Sequence, residues 1–296
     1  PGDVIEPATL SSIPTLEKKL AALGESPEFY GVIPEKPPVV KVLHRGNPEV
    51  PKEEVTPGTL RWVDTLETNL GTNESPESER RTALARWITA TENPLTRRVI
   101  VNRLWQWHFG HGIVDTPSDF GRGGQKPSHP ELLDWLAEEL VKQQWSLKAI
   151  HRLILTSSAY RQVSNTSQGA RIDADNRLIW RQNPRRLEAE SFRDAVLATC
   201  GKLNLKAGGP GFRDFKYTEA YAPIYKYITP DTPELWRRSI YRFVVRTTPH
   251  QFLTTLDCPD PANFAPKRLT TTTPLQALTL SKNPFMLKQA SYFAER

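Results

Sequence analysis

The chain has 296 residues and a mass of 33.6 kDa, enough for one large or two ordinary domains with a buried core. Hydrophobic residues at 38% and charged residues at 24% exclude an intrinsically disordered chain, and no apolar run reaches the length needed to span a membrane. The net charge of +6 is spread over pairs such as Arg80-Arg81 and Arg185-Arg186 rather than gathered into a basic tract, so nucleic acid is not the expected partner.

The chain opens at Pro1 without a signal peptide and reads as a processed product or an excised piece. Residues 16–23 alternate as a short amphipathic helix that should stop at Gly24. Two β-like runs follow, at residues 29–33 and 39–44, with turn signals at Asn47-Pro48 and Pro57-Gly58. Residues 68–79, rich in Thr, Asn, Ser and Glu, read as a linker. Residues 1–78 are therefore expected to form an N-terminal extension, and residues 79–296 a helical domain with a minor β-sheet.

Residues 80–89 are expected to form the first helix of that domain. Asn93 and Pro94 then open a helix that runs to Phe109 and stops at Gly110. Its apolar residues circle most of the cylinder, Trp105, Trp107 and Phe109 among them, which predicts a central, buried helix. Ser128 and Glu131 have capping-box spacing ahead of the next helix, and Ser146 caps a further one. Trp145 sits in the short join, so these two helices should form an antiparallel pair.

A helix over residues 187–203 is expected next, then a break at Gly208-Gly209-Pro210-Gly211 and a long Tyr- and Pro-rich loop from Tyr217 to Pro233. Residues 238–245 alternate as a strand, which could pair with residues 39–44. Thr273-Pro274 and Asn283-Pro284 open the last two helices. The fold class is thus mainly α, an irregular multi-helix domain with a small β-sheet formed by N-terminal and late segments.

The phrases Trp87-Ile88-Thr89, Asn102-Arg103-Leu104-Trp105, Phe109-Gly110-His111-Gly112-Ile113-Val114 and Asp119-Phe120-Gly121 carry a family resemblance. So do His129-Pro130-Glu131-Leu132-Leu133, Arg185-Arg186-Leu187-Glu188-Ala189-Glu190 and Thr273-Pro274-Leu275-Gln276-Ala277-Leu278. With these, residues 81–162 and 176–296 resemble the C-terminal domain of large exported proteins abundant in planctomycetes, domain-of-unknown-function family 1553. Those proteins carry a cytochrome-c-like segment near their N-terminus. The resemblance implies export to the periplasm or beyond, a redox-linked role, and a connection to complex glycans. It implies a c-type haem only on a missing segment or a partner, with no cofactor in this chain. The implied partners are other segments or chains of the same exported system, including a haem-bearing one. One departure is Ser281-Lys282-Asn283-Pro284, where the family has a Leu-Asn pair.

Several groupings could carry chemistry. His108 and His111 are three apart on a helical face, and Asp115 could add an oxygen ligand to a metal; the alternative is a core histidine at His108. Arg103, Asp119, Arg122 and His129 lie on or beside glycine-bounded turns, as a catalytic cluster or with Arg103 as a strut to Asp119. Tyr217, Tyr221, Tyr225, Tyr227 and Trp236 offer rings for sugar faces, with Lys216, Lys226 and Arg237 close by for acidic groups. Lys267 and Arg268 precede a Thr-rich helix start where an anion could bind. Cys200 and Cys258 match neither a haem-attachment motif nor a zinc pair, and a buried thiol is expected at Cys200. The favoured reading is a non-catalytic assembly or recognition module of an exported redox-linked or glycan-processing system. The alternative is an enzyme acting on complex, acidic polysaccharide around Arg103, Asp119, Arg122 and His129.

Overall fold

The computed structural model describes residues 7–22, 31, 33–61, 63, 65–167, 169–229 and 231–296, with no account of the side chains of residues 7–12. The chain divides into two units, Pro1–Asn93 and Pro94–Arg296. Gly24, Phe29, Tyr30 and Val32, which carry the predicted first helix stop and first β-like run, lie outside the described residues.

In the first unit, α1 spans Pro7–Ala22 and α2 spans Glu77–Thr89. Between them β1, Val40–Leu43, pairs antiparallel with β2, Pro51–Val55. The turn is closed by main-chain bonds from Asn47 N–H to His44 O and from Val50 N–H to Asn47 O. Both strands are exposed along their length, and Val63 is the buried apolar residue of this unit among those described.

The second unit is built first around α3, Pro94–Phe109, against which α4, Pro130–Lys142, and α5, Leu147–Thr156, both pack. Val101, Leu104, Trp105 and Phe109 of α3 meet Leu136 and Leu140 of α4 and Ile150 of α5. The helix is not buried all round: Trp107 is 56% exposed. It stops where Gly110 takes a φ of +86°, a conformation that side chains with a Cβ avoid.

Asn102 explains why the residues after that stop are so specific. Its side-chain amide donates to Val114 O at 2.9 Å and its oxygen accepts from Val114 N–H at 2.8 Å. The buried amide is thereby satisfied, and the exit loop is folded back onto the helix. A Cβ at Gly112 would sit 2.4 Å from Val114 O, so a glycine is required there.

Ser146 caps α5 as predicted, accepting from Ala149 N–H. Ser128 does not cap α4: the helix begins after His129, and the Ser128 hydroxyl lies against Ile113 O and the His129 ring. The loop returning from α3 claims that hydroxyl before the helix can.

The rest of the unit comprises α6 (Ala189–Thr199), α7 (Gln251–Thr255), α8 (Pro274–Lys282) and α9 (Pro284–Glu295), with a hairpin of β3 (Phe215–Thr218) and β4 (Ile224–Tyr227). Ala189, Phe252, Leu253 and Leu256 form its core. Thr273 and Gln276 make a full capping box at α8, and Asn283 caps α9.

The fold is mainly α, and among the described residues the strands form two separate two-stranded sheets. Two expectations change. The Tyr- and Pro-rich stretch contains the β3–β4 hairpin rather than a structureless loop. Residues 238–245 hold a 3₁₀ turn, Ser239–Tyr241, and an isolated parallel bridge from Arg242 to Phe212. Their main-chain groups are taken by the turn itself, by Phe212 and, at Ser239 N–H, by Asp194 of α6, which leaves no ladder to extend.

Leu104 is fully enclosed, so Leu104→Ala should lower the unfolding free energy by about 2–5 kcal/mol, whereas Trp107→Ala should stay within about 0.5 kcal/mol of the parent. Urea unfolding followed by circular dichroism measures both.

Candidate functional site

A cavity of about 260 Å³ lies between α6, α7, α9 and the β3–β4 hairpin. Arg193 of α6 forms part of its wall. That guanidinium donates to the carbonyls of Leu235 and Arg237 (3.0 Å to the latter) and to Ser239 Oγ at 3.3 Å. Its flat face lies over the rings of Phe212 and Phe285. The next residue, Asp194, accepts from Ser239 N–H at 2.8 Å and Ser239 Oγ–H at 2.7 Å. Two consecutive side chains of α6 thus hold the irregular Leu235–Ser239 stretch, whose polar backbone has no ladder of its own.

Deeper in, Asp214 accepts from Arg242 Nε at 2.7 Å, with the two side chains 12% and 6% exposed. The pair has one prong: Asp214 Oδ1 and Arg242 Nη2 are both buried without a hydrogen-bond partner. His250 lies 3.4 Å from Asp214 Oδ2 through Nε2, while its Nδ1 accepts from Leu253 N–H and caps α7. Burial, reinforced by the Arg242 charge and only partly offset by Asp214, lowers the His250 pKa to about 4. The imidazole is therefore neutral at pH 7.

A row of rings completes the wall. Tyr227 lies 4.7 Å from His250, His250 6.5 Å from Phe252, and Phe252 5.5 Å from Phe285, each pair edge to face. Trp236, Asp231, Lys288 and Gln289 close the remaining sides. Trp236 Nε1 donates to Asp231, and Lys288 pairs with the same carboxylate at 3.5 Å.

Of the residues marked in the sequence, Tyr227 and Trp236 reach this cavity. Tyr217 and Tyr225 pair across the hairpin, and Tyr221 is fully exposed in the turn. The register puts Phe215, Tyr217, Tyr225 and Tyr227 on one face and Lys216 with Lys226 on the other. These lysines therefore cannot hold an acidic group over the tyrosine rings.

Lys267 and Arg268 do not form an open anion site. Lys267 Nζ binds Asp115 Oδ1 at 3.0 Å, and Arg268 grips Glu190 through two bonds of 2.7 and 2.9 Å. Nor does the Thr-rich segment before α8 stand open. Asp257 accepts from Arg186, from Thr271 N–H and Oγ–H, and from Gln276. The Arg185-Arg186 and Thr273-Pro274 phrases are thus tied into one hydrogen-bonded clamp.

His108 and His111 part company. His108 Nε2 sits 2.7 Å from His151 Nδ1, and His111 faces Asp115 at 3.3 Å. Burial, then the neighbouring His151 and Arg185, lower the His108 pKa. Among the described residues no three His, Cys, Asp or Glu side chains converge as a metal site. Arg103 reaches Ser118 Oγ, not Asp119; Asp119 caps its own turn by accepting from Gly121 N–H. His129 turns to Ser128, and Arg122 is exposed. No hydrogen bond or ion pair joins any two of these four, so the predicted strut is not formed.

Both cysteines are free. Cys200 donates to Gln289 O, and Cys258 lies against Glu190 Oε1 with its thiol pushed up to about 11, by burial first and then by that carboxylate. Two separated, engaged thiols do not fit covalent attachment of a haem. Sequence reasoning missed Arg193, Asp214, Arg242, His250 and Gln289, which are dispersed along the chain. The one local signal was charged residues beside apolar ones in segments otherwise destined for burial.

Asp214→Ala leaves the Arg242 charge buried and unpaired, which should destabilise the protein by about 3–5 kcal/mol. His250 binds its proton more readily when unfolded, near pH 6.5, than when folded, near 4. Its contribution, up to about 3 kcal/mol, is therefore complete above pH 6.5 and lost as pH falls toward 4. His108 shifts in the same direction. His250→Gln should flatten the pH dependence of the melting temperature in that window.

No curated protein and no solved structure matches the chain. A family model, PSD1, described as a protein of unknown function (DUF1553), matches residues 80–296. The matched span holds α3, the Asn102 lock, the Asp257 clamp and the whole cavity, and the chain belongs to this DUF1553 family.

Proposed function

We propose that this chain is a non-catalytic recognition module of an exported, redox-linked or glycan-processing system, and that it holds one sugar residue of a complex glycan in the cavity beside α6. The observation that carries this reading is the pairing of aromatic walls with buried polar atoms that lack partners. Apolar ring faces take up the C–H surface of a sugar, and a few placed polar groups fix its hydroxyls. The size of the cavity suits a single ring.

The non-catalytic character follows from how the polar groups are already used. Arg193 is held by main-chain carbonyls, and both ring nitrogens of His250 face partners within the fold. The imidazole therefore has no free lone pair to act as a general base. The enzyme reading around Arg103, Asp119, Arg122 and His129 has less support, since none of the four lines the cavity. In this proposal a c-type haem belongs to another segment or chain of the same system, which makes a haem-bearing domain a partner. The planctomycete-type, secreted setting comes from the family resemblance.

Calorimetric titration of the full chain against a panel of monosaccharides and oligosaccharides tests the proposal. Saturable binding should weaken about tenfold in Trp236→Ala and in Asp214→Asn, with folding checked by circular dichroism, and no new reducing ends should appear. Release of reducing ends, or binding untouched by both variants, would reject it.

A further inference from the structure

Resting on the sugar-recognition reading, the geometry points to a narrower ligand class: the cavity takes an uncharged sugar through its hydroxyls, and discriminates against sulfated and uronic residues.

The first ground is how the charges are spent. Three cations and one histidine bear on the cavity. Arg193 is consumed by the Leu235 and Arg237 carbonyls and Ser239. Arg242 is committed through Nε to Asp214. Lys288 is paired with Asp231, whose carboxylate also accepts from Trp236 and Tyr292. His250 is flanked by Asp214, Arg242 and Arg193 and by the Tyr227 and Phe252 rings, and it carries no charge at neutral pH. Each of the three cations already has a carboxylate beside it, at 2.7 to 3.5 Å, so an incoming anion would compete with those partners and bear its own desolvation cost.

The second ground is the kind of atom left unpartnered. Asp214 and Gln289 line the cavity, and each has a buried oxygen with no partner, Asp214 Oδ1 and Gln289 Oε1. The unpartnered donor is Arg242 Nη2, on the same ion pair as Asp214 Oδ1. Acceptors therefore exceed donors, and the ligand must supply O–H groups. Sulfate and carboxylate present acceptors alone and would meet Asp214 as like charge. A hydroxyl fits, donating to Asp214, which lines the cavity. Gln289, 2% exposed, offers its oxygen to a further hydroxyl.

The test uses the full chain and matched methyl glycosides of glucose, galactose and mannose, each beside its uronate and its sulfate ester, titrated at pH 7 and constant ionic strength. The best neutral glycoside should bind at least about tenfold more tightly than its anionic counterparts. Asp214→Asn removes the like charge and should shrink that ratio several-fold. Gln289→Leu, which removes a buried unpartnered acceptor and should not unfold the protein, should weaken the neutral sugar several-fold. Equal or tighter binding of the anionic forms, or a ratio unchanged in Asp214→Asn, overturns this inference and leaves the recognition module standing. Binding by no sugar of either class overturns both.

Discussion

A buried guanidinium organises the half of the second unit that contains the cavity. Arg193 collects the carbonyls of Leu235 and Arg237 while Asp194, one residue on, collects the N–H and hydroxyl of Ser239. That stretch of backbone pairs with no strand of its own, and burying it unsatisfied would be prohibitive. With it fixed, Trp236 is held at the cavity rim and Arg242 reaches Asp214. Arg237 works in the same way on the glycine-rich break, donating to the carbonyls of Lys206, Gly208 and Pro210. A loop-rich region thus acquires the rigidity of a core through charged donors, and the cavity is a product of that arrangement.

The tryptophan-bearing helix plays a different part. Its dense motif of aromatics, histidines and glycines invites a reading as an active site, but its geometry is that of a structural lock. Asn102 binds both polar groups of Val114, Gly112 makes room for that contact, and Phe109 stacks on Trp105 at 4.1 Å. The same holds for the Arg186–Asp257–Thr271–Gln276 clamp. Residue types that look chemically equipped are here spent on satisfying buried backbone and closing loops. The unpartnered polar atoms of the cavity, on Asp214 and Gln289, lie in less conspicuous stretches of sequence.

Helices were legible because their signals are local. The apolar spacing of α4 and α5, the Ser146 cap, Pro94, and the Thr273–Gln276 box all act within a turn or two of where they stand. Ser128 shows the limit, since its hydroxyl answers to Ile113, fifteen residues earlier. The hairpin within the Tyr- and Pro-rich stretch was obscured by its prolines, although the alternation of rings and lysines that sets its register was present. Residues 238–245 alternate as well, yet pair with no neighbouring strand, because a 3₁₀ turn and bonds to Phe212 and Asp194 use their main-chain groups.

The sequence by itself determined the helical class, the membership in a family through its phrase set, and most helix starts and stops, for these are carried by signals close together in the chain. Tertiary structure alone decided which charges are spent and which polar atoms are left over. Asp214, Arg242 and His250 meet across tens of residues, and whether Lys267 or Arg268 is free depends on Asp115 and Glu190, far away in sequence. Hydrogen-bond satisfaction is a property of the whole packed unit, and no spacing rule along the chain encodes it.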